Sequence, residues 1–389
     1  MKNKNGFISM TLVYTFLILF LFLMSGILTS YNQRNKYYDI IEEKIKSEMD
    51  LTSFRNDTLY NTILKDNKAY PDDNDASPSV DSKDGIDFSK SASLTNGIGL
   101  FYTEDTSYTK DNKTVYYFRG SDVNNYIVID GQKARILRTT EDGNVKILSN
   151  GETMMTYNTV AGNKAVGFMY GTDEDEGTLT NNDLYFKTHE NINDSEARNK
   201  MNVKIPDEYK NIFVSSTYCN NRTLDKTVNK ISDVSGNASH DIYVLDSSTL
   251  GYGTYNTVYY NLNRIKNDKR PRFNCTRKDS NGNYVDYIES ISGLITLDEA
   301  IYSGIGYNDT KNNSFVEDTL TMTPNYYYHN STTNEDYPGL FKIDEYKNII
   351  TVPANKSVYT NAVFTLKGDI IISKGNGTYS NPYVINGGA

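Results

Sequence analysis

The hydrophobic positions of this chain follow a helical pattern at its amino-terminal end and a strand pattern over most of the remainder. Residues 7–29 carry no charge, and at about 1.5 Å per residue they predict a transmembrane helix of roughly 35 Å. Between residues 38 and 49, apolar side chains recur at spacings of three and four, as in an amphipathic helix. Because the first proline is Pro71, nothing in the sequence ends this helix before about residue 65.

A short basic leader precedes the uncharged segment. Lys2 and Lys4 predict that the amino terminus stays in the cytoplasm while the remainder is exported, as in a single-pass cell-membrane protein with an extracellular carboxy-terminal domain. The uncharged segment is longer than the apolar part of a cleavable signal peptide and lacks a small-residue cleavage site. We therefore expect this segment to be kept in the finished protein, with membrane lipid as its partner.

Residues 66–95 are rich in Asp, Ser and Lys, which predicts a linker or a surface loop. Its cluster of Asp72, Asp73 and Asp75 lacks the alternating ligands and the turn glycine of a calcium loop, so we expect a solvated acidic stretch. The predicted organisation is a leader at 1–6, a transmembrane helix at 7–29, an amphipathic stalk at 30–65, a linker at 66–95 and an extracellular domain at 96–389.

The last of these regions has the signals of antiparallel strands joined by tight turns. Residues 124–151 alternate short apolar runs with the turn sequences Asp-Gly and Asn-Gly, which predicts a three-stranded meander. Helices are fewer: residues 195–202 are one candidate, and the pattern from Thr296 to Glu299 is a capping box that opens a short helix ending before Gly304. The predicted fold class is α+β, a long amino-terminal helix followed by a mainly antiparallel sheet domain with few short helices.

Composition narrows the class of partner. The formal net charge is −9, and phosphate neutralisation requires clustered Lys and Arg, so we predict no binding to nucleic acid. The chain has 33 Tyr, 15 Phe and no Trp, so tyrosine supplies much of the apolar bulk of the core.

No pattern of residues predicts catalysis, a cofactor or a metal. His189, His240 and His329 are far apart in sequence and lack the spacing of metal ligands. The acidic residues at 173–183 are contiguous on a polar stretch, which is typical of a solvent-facing loop rather than of paired catalytic acids. We therefore expect a protein that is not an enzyme.

The two cysteines leave two alternatives open. In an oxidising compartment Cys219 and Cys275 can pair, and closing that loop would stabilise the fold by roughly 4 kcal/mol on the chain-entropy model. The other alternative is two buried free thiols.

The amino-terminal sequence resembles that of type IV prepilins, on the strength of a basic leader ending in Gly6, then Phe7, then an uncharged span that continues into an amphipathic helix. The resemblance implies that a prepilin peptidase cuts after Gly6 and methylates Phe7, and that other pilin-like subunits are partners. Members of that family usually have Glu at the fifth mature position, where this chain has Thr11. That departure suits a minor subunit better than a major one.

A second resemblance covers residues 115–385. Six sequence blocks occur in the order found in an uncharacterised surface domain of Gram-positive bacteria and their Mollicutes-like relatives: VYYFRG, NNYIVIDGQKARILRTTEDGNVKIL, TYCNNRTL, RPRFNC, GLITLDEAIYSG and the tail NAVFTLKGDIIISKGNGTYSNPYVI. The resemblance implies no enzymatic activity, and a fold similar to C-type-lectin-like or formylglycine-generating-enzyme-like domains.

Together these features predict a pilin-like, membrane-anchored surface protein. We expect a minor subunit of a type IV pilus-like or pseudopilus assembly, whose outward domain binds an unknown extracellular ligand. The alternative is an uncleaved, signal-anchored binding module or adhesin that is not built into a filament.

Overall fold

The computed structural model describes a β-rich fold that lies within one of two units of the chain, Arg55–Ala389. The described residues are 57–104, 109, 113–149, 153–155, 207–219, 221, 223, 225, 230–231, 242–243, 257–275, 287–330, 335–353 and 358–385.

Most of the regular structure is strand. The strands are β1 (Asp57–Thr58), β2 (Ala69–Pro71), β3 (Gly99–Thr103), β4 (Val115–Arg119), β5 (Tyr126–Ile129), β6 (Gln132–Thr139), β7 (Val145–Ser149), β8 (Thr153–Met155), β9 (Ser216–Cys219), β10 (Lys230–Ile231), β11 (Ile242–Tyr243), β12 (Thr257–Val258), β13 (Tyr287–Ser290), β14 (Ser292–Gly293), β15 (Thr319–Asn330), β16 (Glu335–Ile343), β17 (Ile349–Pro353), β18 (Val358–Thr360), β19 (Val363–Leu366), β20 (Ile371–Lys374) and β21 (Tyr383–Ile385). The described part contains three α-helices, α1 (Leu59–Asp66), α2 (Leu262–Asp268) and α3 (Leu297–Tyr302), and a 3-10 helix at Asp207–Ile212.

The predicted meander is confirmed and forms the middle of the largest sheet. β5, β6 and β7 pair antiparallel in sequence order. Asp130 and Gly131 join the first two with φ of 49° and 72°, as a type I′ turn requires. Within the described residues this sheet has eleven strands, in the order β1-β20-β21-β5-β6-β4-β3-β2, with β7, β19 and β14 continuing from β6.

A second sheet of four strands, in the order β12-β15-β16-β17, covers part of the core. Its long β15 contains Pro324, which lies where the register with β16 shifts. A proline removes a ladder hydrogen bond, so a bulge is the position at which a strand tolerates it. The buried side chains of β15 and β16 include Leu320, Met322, Leu340 and Ile343. They join the larger of two buried hydrophobic clusters, called here the aliphatic core.

The predicted continuous helix to residue 65 is wrong at its carboxy-terminal end. Asp57 and Thr58 form a strand that pairs with β20, and the Thr58 hydroxyl caps a new helix that begins at Leu59. Leu59 and Ile63 of α1 are buried in the aliphatic core. The helix therefore belongs to the folded unit instead of ending a stalk.

The predicted α+β class with a long amino-terminal helix is corrected to a mostly β fold with short helices. The expected transmembrane helix at 7–29, and the stalk as far as residue 56, lie outside the described residues. Among the residues that are described, no helix has the length and apolar character needed to cross a membrane. The predicted single-pass membrane anchoring and membrane location are corrected on that finding.

The segment at 66–95, expected to be a linker, is packed into the fold. Val80, Ile86 and Phe88 are buried in it. Ala69–Pro71 pairs in parallel with β3 at one end of the large sheet. Asp72, expected to be solvated, is only 2% exposed. Buried apolar positions spaced through a polar sequence therefore fix this segment in place.

The core has an aliphatic part and an aromatic part. The aromatic part gathers around Tyr302 of α3, whose ring stacks on Phe273 with centroids 3.9 Å apart and meets Phe88 edge to face at 5.3 Å. Tyr117 lies 4.6 Å from the same ring. The tyrosine-rich composition is thus partly explained by a buried aromatic cluster that contains no tryptophan.

Candidate functional site

A broad concave surface of the described part begins at a turn that only glycine can form. Gly85 has a φ of 83°, and a Cβ at this position would lie 2.3 Å from the backbone oxygen of Asp72. The amide of the next residue, Ile86, donates to that same oxygen at 3.0 Å. The chain at 82–89 is therefore held tightly over Asp72.

The side chain of Asn96 fixes the other end of this turn. Its Oδ1 accepts from the amide of Asp87 at 2.9 Å, while its Nδ2 donates to the carbonyls of Asp87, Lys90 and Ser91. One amide side chain thus satisfies four backbone groups. The turn is set by side-chain hydrogen bonds instead of a sheet ladder, which leaves its outer surface available.

The facing wall is the end of α2. The helix stops at Lys269, which has a left-handed φ of 56°. The following Arg270 turns inward, and its Nη2 donates to Asp72 at 2.5 Å and to Thr103 at 2.9 Å. Tyr117 donates to the other oxygen of Asp72 at 2.9 Å. Burial raises the pKa of Asp72 although Arg270 and Tyr117 favour its ionised form.

Between these walls lies a cleft of about 720 Å³, within the range of small-ligand sites. Ile86, Phe88 and Tyr307 form the apolar part of the lining, of which Ile86 and Phe88 are buried and Tyr307 is half-buried. The amide of Asn308 donates to the carbonyl of Ser89 at 3.0 Å, which ties the segment after α3 to the turn. The cleft is therefore shaped by three chain segments that hydrogen bonds hold together.

The charges of the cleft are partly used and partly available. Asp87 binds Ser89 and Lys90, and Asp268 binds Arg272 at 2.8 Å. Although burial raises the pKa of Asp87, the hydrogen bonds from Ser89 and Lys90 outweigh it and lower the pKa. Asp84, Lys266 and Lys269 have no ion-pair partner among the described residues. The available groups thus carry one negative and two positive charges.

A second polar cluster is buried at the start of α3. The predicted capping box is confirmed: Thr296 accepts from the amide of Glu299 at 3.0 Å, and Glu299 Oε2 accepts from the amide of Thr296 at 3.1 Å. Glu299 Oε1 also accepts from Arg138 Nε at 2.9 Å and lies 3.5 Å from Lys146 Nζ. Sequence reasoning found the cap but missed both cations.

Burial and charge act in opposite directions on this cluster. Burial raises the pKa of Glu299, but Lys146 and Arg138 outweigh it and hold the pKa at about 2. Burial lowers the pKa of Lys146 to about 8, although Glu299 favours its charge. Lys146 also donates to the carbonyl of Thr217 at 2.8 Å and lies 3.9 Å from the centre of the Tyr218 ring.

Cys219 and Cys275 form a disulfide that borders this region, with Cα atoms 5.2 Å apart. The bond joins the end of β9 to the segment after α2 across 56 residues of sequence. Such a bond persists in oxidising compartments.

Most of the other residues singled out in the sequence are not brought together. Gly6, Phe7, His189, His240 and the acidic residues at 173–183 lie outside the described residues. His329 lies in β15. Within the described part, no group of His, Cys, Asp and Glu side chains has the arrangement of a metal site.

The cleft residues carried a sequence signal that is visible only in retrospect. Gly85 follows a short polar run and precedes Ile86 and Phe88, an apolar alternation typical of a buried segment. No local pattern links this run to α2, about 180 residues further along the chain. Comparison with protein-family models, curated proteins and solved structures finds no match to this chain.

Proposed function

We propose that this chain is an exported, non-enzymatic interaction protein that binds a partner in the cleft between Gly85 and the end of α2. The observation that carries the proposal is the cleft of about 720 Å³, whose walls are fixed and in which Lys266 and Lys269 have no ion-pair partner among the described residues. Fixed walls lower the entropy cost of binding, and available charges supply specificity.

The chemistry of the cleft favours an acidic segment of another protein. Two exposed lysines on one wall attract carboxylates, and Asp84 on the other wall disfavours a uniformly anionic ligand such as nucleic acid. The half-buried ring of Tyr307 offers apolar surface to a side chain of the ligand. Pilin-like subunits remain the partners that the sequence around Gly6 and Phe7 predicts.

Site-specific photo-crosslinking in the native cell tests the cleft. A photoreactive amino acid is placed at Ser82 in the cleft or, as a control, at the exposed Lys367 outside it. We expect a discrete crosslinked adduct from position 82 that is absent from position 367. Mass spectrometry of the adduct identifies the partner and the segment that is bound.

Charge reversal supplies the matched control. The double substitution Lys266→Glu and Lys269→Glu is expected to abolish the adduct from position 82, whereas Lys367→Glu leaves it unchanged. Equal adducts from both positions, or an adduct that survives the double substitution, would contradict the proposal. Intact mass of the amino-terminal peptide separately tests processing, because cleavage after Gly6 leaves a methylated Phe7.

A further inference from the structure

A small internal cavity, separate from the cleft, lies between α2, the start of α3 and the chain just after β9. Arg264, Asn221, Asn261, Arg272 and Asp298 line it. It contains about 20 Å³ of free space, enough for one or two water molecules or one anion of similar size.

Arg264 is the main unsatisfied group of this cavity. Its Nη2 donates to both carboxylate oxygens of Asp298, at 2.6 and 2.8 Å. Its Nε and Nη1 have no hydrogen-bond partner in the described part of the chain, although the side chain is only 6% exposed. A buried charged donor without a partner is costly, so the arrangement calls for an acceptor in the cavity.

Asn221 presents a further unsatisfied donor. Its Oδ1 accepts from the amide of Thr223 at 3.1 Å and from the Thr223 hydroxyl at 2.7 Å, which fixes the orientation of the side-chain amide. Its Nδ2 is buried and, among the described residues, has no partner. Asn221 and Arg264 thus line the same cavity, each with a donor that has no partner among the described residues.

The unsatisfied acceptors are fewer. Asn261 donates through Nδ2 to the carbonyls of Asn221 and Pro324, at 3.0 and 2.8 Å, which leaves its Oδ1 without a partner within the described residues. Arg272 Nε is a fourth buried donor of the lining that has no partner in the described part, so donors outnumber acceptors around the cavity. Each water that enters accepts two hydrogen bonds but also brings two donors, whereas an anion only accepts, so an anion fits this excess of donors better.

The charges around the cavity are compatible with an added anion. The lining contains Arg138, Lys146, Arg264 and Arg272 against Asp298 and Glu299. Two more carboxylates stand further out, Glu141 at 3.8 Å from Arg138 and Asp268 at 2.8 Å from Arg272. The inner layer is thus positive, and the compensating layer is nearer to solvent.

We propose that this cavity binds one small anion, of the size of chloride, on Arg264 and Asn221. An ion in this position accepts from one of the two free nitrogens of Arg264, Nε or Nη1, and from Asn221 Nδ2. It thereby links α2 to the chain beyond Cys219 and stabilises the side of the fold that carries the disulfide.

Thermal unfolding of the full chain in chloride and in gluconate, at equal ionic strength, tests the site. Gluconate is too large for the cavity and serves as the reference anion. We expect the Tm to rise saturably with chloride, by about 2 °C at a tenfold excess over the dissociation constant. Bromide soaked into a crystal is expected to give an anomalous peak beside Arg264.

Asn221→Asp removes the donor at nearly constant shape and adds a negative charge to the cavity. This variant is expected to lose the chloride dependence, whereas Asn267→Asp, at an exposed position on α2, retains it. A chloride effect that persists in Asn221→Asp, equal Tm values in the two salts, or water in place of the bromide peak would each overturn the proposal. If Asn221→Asp does not fold, the wild-type titration and the bromide map decide alone.

Discussion

Asp298 and Glu299 are neighbours on the first turn of α3, yet their carboxylates have different surroundings. Glu299 accepts from Arg138, from its own cap residue Thr296, and lies close to Lys146. No buried side-chain nitrogen or oxygen of Arg138, Lys146 or Glu299 lacks a partner in the described structure. Asp298 also accepts from a buried arginine, but two nitrogens of Arg264 remain unsatisfied beside a cavity.

The difference separates a structural ion cluster from a potential binding site. A buried charge network is stable when every member is satisfied, and it then has nothing to offer a ligand. A network with unsatisfied donors is either destabilised by their desolvation or binds an additional acceptor. Two neighbouring carboxylates that are chemically alike thus differ in whether the cations around them have all their hydrogen bonds satisfied.

The largest effect is expected from Glu299→Gln. Glutamine can still cap α3 through its one oxygen, because a capping box accepts either residue. Its NH2 group cannot accept from Arg138, so the substitution removes the charge and one acceptor. Arg138 and Lys146 are then buried without a counter-charge, and the free energy of unfolding should fall by roughly 3–5 kcal/mol. Urea denaturation of the full chain measures the loss. Glu345→Gln, at an exposed position, is the control. A loss as small as that of the control would show that Arg138 and Lys146 do not depend on Glu299 as their counter-charge.

Asp298→Asn should cost less, roughly 2 kcal/mol. It removes the counter-charge of Arg264 and weakens the hydrogen bond from the amide of Arg272, at 2.8 Å. The cavity beside Arg264 admits water or an anion, which offsets part of the loss. The same denaturation experiment measures it. A loss equal to that of Glu299→Gln would mean that the two sides of α3 do not differ in the proposed way.

The part of this region that was predictable from sequence is the part that is local. The pattern from Thr296 to Glu299 contains all the information needed for the cap, and α3 begins and ends where it indicates. The ion pair of Glu299 with Arg138 joins residues 161 positions apart. No periodicity within either segment encodes that contact, because it depends on how β6 packs against α3.

The contrast between local signals and long-range contacts also explains why a continuous helix to residue 65 was wrongly predicted. Residues before Leu59 have helical periodicity, but Asp57 and Thr58 pair with Ile372 and Ile371 of β20 instead. A strand pairing made more than 300 residues away overrode the local preference. The local signal that was available is Thr58 itself, a preferred N-cap residue directly before the helix.

The cleft was hidden for a related reason. The polar composition of residues 66–95 predicts a linker, and average polarity conceals a few buried positions such as Ile86 and Phe88. Ile86 and Phe88 stabilise the fold by packing with residues from other segments, such as Phe101 and Tyr302. Composition thus describes the exposed majority of a segment, whereas its fold is decided by the buried minority.

The smallest effect, a pH dependence, comes from Lys146 in the satisfied cluster. Burial lowers its pKa in the folded chain to about 8, from 10.5. Between these values the unfolded chain binds more protons than the folded chain, so the free energy of unfolding rises with pH. From pH 8 to 9.5 this group alone should add about 1.5 kcal/mol. Tyrosines begin to ionise near pH 9.5, so the contribution of Lys146 is measured as a difference between variants.

Urea denaturation across this pH range, in wild type and in Lys146→Met, measures the contribution as the difference between the two slopes. Lys65→Met, at an exposed position of α1, should keep the wild-type slope. The rise reflects a lysine that is 1% exposed and whose counter-charge is shared with Arg138. If Lys146→Met keeps the wild-type slope, then burial does not lower the pKa of Lys146. The cluster around Glu299 would then be more accessible to water than the contacts indicate.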